Sequence, residues 1–180
     1  MKRMVKELMI ILFIYIIFRS CFYLGYVPTD SMEPTLRAGS FILASKIYPE
    51  IQAGDIIVFE REGELLVKRV AYTAGDHIPV KHETDAYGVS LLVPVEAKEA
   101  EKWLSVPDGY VYVLGDNQDH SYDSRYWENP FIPTAEVCAL VIGKLPNYET
   151  VRSFFCGRKQ KLAHFFVKYT INSLIFYITT

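Results

Sequence analysis

Cysteine is scarce in this chain of 180 residues: Cys21, Cys138 and Cys156 stand far apart. No CxxC pair exists, which argues against a thiolate zinc site. An odd count leaves at least one thiol without an internal partner. A bridge between Cys138 and Cys156 is open to the sequence, but buried or membrane-facing thiols are the expectation. GxGxxG, P-loop and EF-hand spacings are all missing. No repeat period and no low-complexity tract occurs. The formal net charge is only −2, so the total does not point to nucleic acid. No metal and no cofactor is expected.

Charge is also nearly missing from a long stretch close to the N-terminus, and there the absence is informative. From Leu8 to Val27 the one charged residue is Arg19. Twenty residues of helix rise about 30 Å, the thickness of a bilayer core. Residues 1–27 are therefore expected to be a cytoplasmic start and a transmembrane helix. Lys2, Arg3 and Lys6 precede the run and favour a cytoplasmic N-terminus, and Arg19 can snorkel to the far interface. A cleaved signal peptide is the rival, but no small-x-small site follows the apolar core. Residues 147–180 are basic and then apolar. If helical, Leu162, Phe165, Phe166 and Tyr169 share one stripe, and Ile171, Leu174, Ile175 and Ile178 a second. That tail reads as a membrane-surface helix, a second span or a docking segment, in that order.

Residues 28–146 are strand-like. SFILASK, DIIVFE, ELLVKRVAY, YVYVLGD and VCALVIGK are short and rich in β-branched and aromatic residues. Gly and Pro punctuate them, and Arg61-Glu62-Gly63 predicts a tight hairpin. Only VEAKEAEKWL reads as helical. The expected fold is mostly β.

Ser31, in PTDSMEPTL, follows directly on the apolar run and is a candidate nucleophile. A serine hydroxyl needs a base to take its proton. The chain has four histidines, His77, His82, His120 and His164, of which His120 lies in a polar loop beside Ser121. Lysine is the other option. With an ordinary pKa of about 10.4, roughly one lysine in 2,500 is neutral at pH 7, and removing that handicap takes about 4.6 kcal/mol. Burial in an apolar wall supplies a bias of this kind. In LLVKRVAY, alternation places Leu66, Lys68 and Val70 on one face and Leu65, Val67 and Arg69 on the other. Lys68 thus has aliphatic neighbours on its own face, although a strand lysine is more often an exposed edge residue. On this reading Arg69→Ala spares more activity than Lys68→Ala. The run GDNQDHSYDSR reads either as a solvated turn or as a polar network. In the second case Asp123 and Arg125 pair, and Ser121 holds a lysine amine.

Taken together, these stretches resemble the type I signal peptidases, membrane-bound serine proteases that remove signal peptides. SMEPTL looks like their nucleophile box, VKRV followed by Gly75-Asp76 like their lysine box, and GDNQDHSYDSR like their GDN-x-x-x-S-x-D-S-R box, in the same order. The resemblance implies Ser31 as nucleophile and Lys68 as general base. It also implies Thr29 as an oxyanion donor and Ser121 as the serine that steers the amine. Asp123 and Arg125 match the supporting pair, Asp116 the first acid of its box, and Met32 a residue lining or underlying the substrate cleft. It further implies a coiled antiparallel β-sheet ectodomain outside the cytoplasmic membrane, acting on preproteins that bear signal peptides, with membrane lipid as the other partner. The lysine box departs from the common pattern, since KRVAYTAGD lacks the usual Gly and Pro, and the apolar tail is not a general family feature. A specialised maturation protease of the same group, and an inactive membrane-tethered β module, are the alternatives.

Overall fold

The computed structural model describes residues 2–145 and 176–177. A helix, α1 (Lys2–Cys21), is followed by β1 (Phe22–Val27), β2 (Ser40–Ser45), β3 (Ile56–Arg61) and β4 (Glu64–Tyr72). Next come β5 (His77–Thr84), β6 (Ser90–Pro94), β7 (Lys102–Ser105), β8 (Tyr110–Leu114), β9 (Phe131–Pro133), β10 (Val137–Leu145) and β11 (Phe176–Tyr177). Eight strands make one sheet in the order β11-β1-β2-β10-β3-β4-β8-β9, and three make a second in the order β6-β5-β7. All pairings are antiparallel except that of β11 with β1. The mostly β expectation holds, and all five strand-like segments are strands.

The local chemistry explains the β3–β4 hairpin. Two residues join the strands, and both have positive φ, 54° at Glu62 and 83° at Gly63, the backbone that matches the twist of a paired ribbon. The register runs from Arg61↔Glu64 to Ile56↔Arg69. Alternation then divides the apolar residues between two cores. Val58 and Val67 pack with Val27, Met32, Leu36 and Ile42, while Ile57, Phe59, Leu66 and Val70 pack with Val111, Val113 and Trp127. The sheet buries both faces here, so these strands read as near-continuous apolar runs.

Three expectations are corrected. The run Leu8–Val27 is not one helix, because α1 stops at Cys21 and Phe22–Val27 joins the sheet against β2. Aromatic and β-branched residues favour the strand, and Tyr23, Gly25 and Val27 turn inward on alternate positions. Among the described residues no helix is long and apolar enough to cross a membrane. The uncharged part of α1 is confined between Glu7 and Arg19. VEAKEAEKWL forms a single 3₁₀ turn, Ala97–Glu99, and then enters β7, where β5 supplies its backbone partners. In the tail, Phe176 and Tyr177 form a strand on β1, and the residues of both expected stripes lie outside the described residues. Cys21 and Cys138 are free thiols, and Cys156 lies outside the described residues.

Candidate active site

Ser31 sits in the turn that follows β1. Glu33 N donates to Asp30 O at 2.9 Å, Leu36 N to Met32 O at 2.8 Å, and Gly39 N to Val27 O at 2.8 Å. Met32 is fully buried in the core with Val27, Leu36 and Ile42. It therefore packs beneath the turn and does not line an open cleft. Thr29 is half-buried two residues before Ser31.

Lys68 is fully buried, and its strand is interior, paired with β3 on one side and β8 on the other. The edge-residue reading fails for that reason. Ile57 faces Lys68 across the ladder, and Leu66 and Val70 flank it on its own face; all three belong to one buried cluster. The Lys68 Nζ to Ser31 Oγ distance is 2.9 Å. Burial pulls the Lys68 pKa down from 10.5 to about 8, with Arg125 acting the same way and Asp123 opposing. The amine of a residue with an ordinary pKa above 10 is thereby brought within reach of neutrality near physiological pH.

The loop after β8 supplies the polar shell. Asp123 and Arg125 pair as expected, with Arg125 Nε donating to Asp123 Oδ1 at 2.9 Å. Asp123 Oδ2 accepts from Gly115 N at 2.9 Å and from Ser121 Oγ at 2.7 Å. Arg125 also donates to Gln118 O at 2.7 Å. Burial acts to lower the Arg125 pKa, but the Asp123 hydrogen bond and charge outweigh it and hold it above its ordinary value. Ser121 does not bond the lysine amine, which is a correction: Lys68 donates to Ser31, and the Ser121 hydroxyl donates to Asp123 at 2.7 Å.

The composition of this shell leaves two residues that sequence reasoning did not assign. Arg69 forms a bidentate pair with Asp116, at 2.7 Å from Nε to Oδ1 and 2.6 Å from Nη2 to Oδ2. It also donates to Gly54 O at 2.7 Å and to Thr35 Oγ1 at 3.2 Å. Burial pushes the Asp116 carboxyl up, but the hydrogen bonds from Arg69 and Thr35 prevail and hold it below its ordinary value. Alternation foretold that Arg69 faces away from Lys68; nothing local announced Asp116 as its partner. A cavity of about 390 Å³ adjoins this pair, between Pro34, Thr35 and Gln118, and neither Ser31 nor Lys68 lines it. Gly115 is the second. A Cβ there would lie 2.1 Å from Ser121 Oγ and 2.6 Å from Ser31 O, so only glycine lets the two loops meet.

The histidines divide clearly. His77 bonds Ser105 and His82 bonds Glu101, both on the second sheet. His120 Nδ1 lies 2.6 Å from Asp30 Oδ2. His164 lies outside the described residues.

The family described as signal peptidase, peptidase S26, matches residues 1–145. The chain is similar to signal peptidase I of Pseudomonas aeruginosa, 27% identical over 202 aligned residues that cover 83% of this chain and 69% of that one. It is 31% identical over 129 residues to a probable signal peptidase I-1 of Synechocystis, covering 62% of this chain and 65% of the relative. With signal peptidase I of Aquifex aeolicus it shares 26% identity over 224 aligned residues, covering 82% and 87%.

Proposed function

The chain belongs to the signal peptidase family, peptidase S26, a family of hydrolases, and from that membership we propose that it removes signal peptides from exported preproteins by a Ser31–Lys68 acyl-enzyme mechanism. The observation that carries this reading is the 2.9 Å contact between a fully buried lysine amine and the one hydroxyl it bonds among the described residues. As an ammonium, Lys68 donates to Ser31 Oγ. Once neutral it accepts the Ser31 proton instead, and Oγ bonds the scissile carbonyl carbon. The carbonyl oxygen takes up the negative charge, with the Ser31 N–H and the Thr29 hydroxyl as its donors. Collapse breaks the C–N bond, the leaving amine takes the proton held by Lys68, and the signal peptide remains as an ester on Ser31. Water then gives its proton to Lys68 and attacks the ester, and Ser31 recovers its proton as the acyl group departs.

Hydrogen bonds around the dyad support roles for the neighbouring residues. Asp123 receives Gly115 N, Ser121 and Arg125, and so anchors the loop that faces the dyad. The Asp116–Arg69 pair, with Thr35, braces the far side of the nucleophile turn. The exposed apolar residues of α1 from Leu8 to Phe18 attach the enzyme to the cytoplasmic membrane, with the catalytic sheet on the outer side where preproteins emerge.

Ser31→Ala and Lys68→Ala should each reduce cleavage of a test preprotein by at least about 10³-fold, with an unchanged fold by circular dichroism. Acylation of Ser31 by a serine-directed inhibitor, read by mass spectrometry, should disappear in Ser31→Ala. Full turnover by Lys68→Ala would transfer the role of base to another residue.

A further inference from the structure

His120 and Asp30 take no part in the chemistry above, yet they join the two loops that build it. Asp30 immediately precedes Ser31, and His120 immediately precedes Ser121. The backbone already sews these loops together: Asn117 N donates to Ser31 O at 3.0 Å and Asn117 Nδ2 to Asp30 O at 3.2 Å. The His120 Nδ1 to Asp30 Oδ2 contact, at 2.6 Å, is the titratable link among them. A carboxylate only accepts, so Nδ1 carries the proton. That proton is directed at Asp30, and Ser31 Oγ is held by Lys68, so His120 is not poised as the base.

We propose, resting on the peptidase reading, that the His120–Asp30 pair is a charge clasp that ties the nucleophile turn to the 117–125 loop and neutralises the carboxylate next to Ser31. Negative charge develops beside Ser31 when its hydroxyl adds to the carbonyl. An uncompensated Asp30 would repel that charge, and an imidazolium at 2.6 Å cancels most of the repulsion. His120 is a positioning residue on this account. Its ring faces Asp30, Asp119 and Glu33, all acidic, and the Asp30 hydrogen bond foremost raises its pKa above 6.5. The same bond lowers the Asp30 pKa. The clasp is therefore charged on the acid side of neutrality and loses its charge as pH rises through the raised His120 pKa. Lys68 becomes a competent base over the range near 8. The clasp thus matters most where the base is scarcest.

The test compares kcat/KM of full-length wild type and His120→Asn across pH. The variant should be about two- to fivefold slower near pH 6, the size of one exposed charge pair, and should approach wild type at about pH 9. Asp30→Asn/His120→Asn should recover part of the loss, because no bare carboxylate remains. His82→Asn, whose ring pairs with Glu101 on the other sheet, should match wild type throughout. A pH-independent ratio, or a double variant no faster than His120→Asn, overturns the clasp. Independently of turnover, the His120 ring followed by NMR should titrate higher in Ser31→Ala than in Ser31→Ala/Asp30→Asn; equal values also overturn it. If wild type cleaves no preprotein while the ring titration shifts, the peptidase reading fails and the charge pair stands. If wild type cleaves with a flat ratio, the clasp alone fails.

Discussion

On the proposed mechanism, Lys68 would serve the chemistry at the expense of stability. Its pKa is near 10.5 in the unfolded chain and about 8 in the folded one. Below pH 8 both states hold the proton, and the folded protein bears the whole penalty of a buried ammonium. Between about 8 and 10.5 the folded state sheds its proton first, so stability rises with pH across that window. Two and a half pKa units correspond to about 3 kcal/mol. Lys68→Met should accordingly be more stable than wild type at pH 7 by up to about 3 kcal/mol while losing activity, read by urea unfolding and preprotein cleavage. In the wild type, kcat/KM should climb to a plateau with a midpoint near 8, because only the neutral amine accepts the Ser31 proton. A profile flat from pH 6 to 10 would contradict the assignment of Lys68 as base. Gly115 makes the converse case, a residue that acts by what it lacks. A methyl there would meet Ser121 Cβ at 2.4 Å and Ser31 O at 2.6 Å, and neither is the end of a flexible side chain. Gly115→Ala should cost at least about 1–3 kcal/mol, and displacing Ser31 by about 1 Å should lower kcat/KM by about 100-fold. Gly143→Ala, with nothing within 4 Å of its Cβ, is the control expected to change neither.

Among the elements, the β3–β4 hairpin sets the position of Lys68, the proposed base, because its register puts Ile57 opposite Lys68 and Ile56 opposite Arg69. A slip by one residue would exchange the faces of Lys68 and Arg69. The two-residue loop guards against that slip, although Glu62 holds a φ of 54° that suits Asn or Gly better. Glu62→Asn should stabilise the protein by about 0.5–1 kcal/mol and leave kcat unchanged, seen as a higher Tm. The hairpin was legible from ELLVKRVAY and its Glu-Gly turn because alternation and turn chemistry are local. The second sheet was not. His77–Thr84 and Ser90–Pro94 alternate weakly, and Lys102–Ser105 gains its strand character from β5 rather than from its own composition. The end of α1 was misread for a related reason. Phe22–Val27 is as apolar as the helix before it, so hydropathy does not mark the break, and pairing with β2 and β11 fixes the segment as a strand.

For the whole molecule, α1 leaves Leu8 to Phe18 exposed on every side, with relative exposures from 40% at Phe18 to 64% at Ile11. Such a helix is not a stable surface element in water, because it has no polar face to turn outward. On the proposed reading, lipid covers this apolar surface. Full-length protein should sediment with membranes and resist alkaline carbonate, and Ile11→Glu/Ile14→Glu should shift a large fraction to the soluble phase. Recovery of the unaltered chain as a monomer without detergent would contradict membrane attachment. Protease added to spheroplasts should reach the β sheets if they lie outside the membrane.

The sequence by itself determined which residue types stand near which turns: Ser31 after the apolar run, Lys68 among aliphatic neighbours, and Asp123 two residues from Arg125. Those relations span a few residues, where strand alternation and turn preferences act directly. Tertiary structure decided the rest. Lys68 meets Ser31 across 37 residues, Arg69 meets Asp116 across 47, and His120 meets Asp30 across 90. Each of those meetings depends on the order in which the strands pair, and no local propensity encodes that order. The depressed pKa of Lys68 belongs to the same class, since the desolvation that causes it exists only once β3 and β8 close over β4.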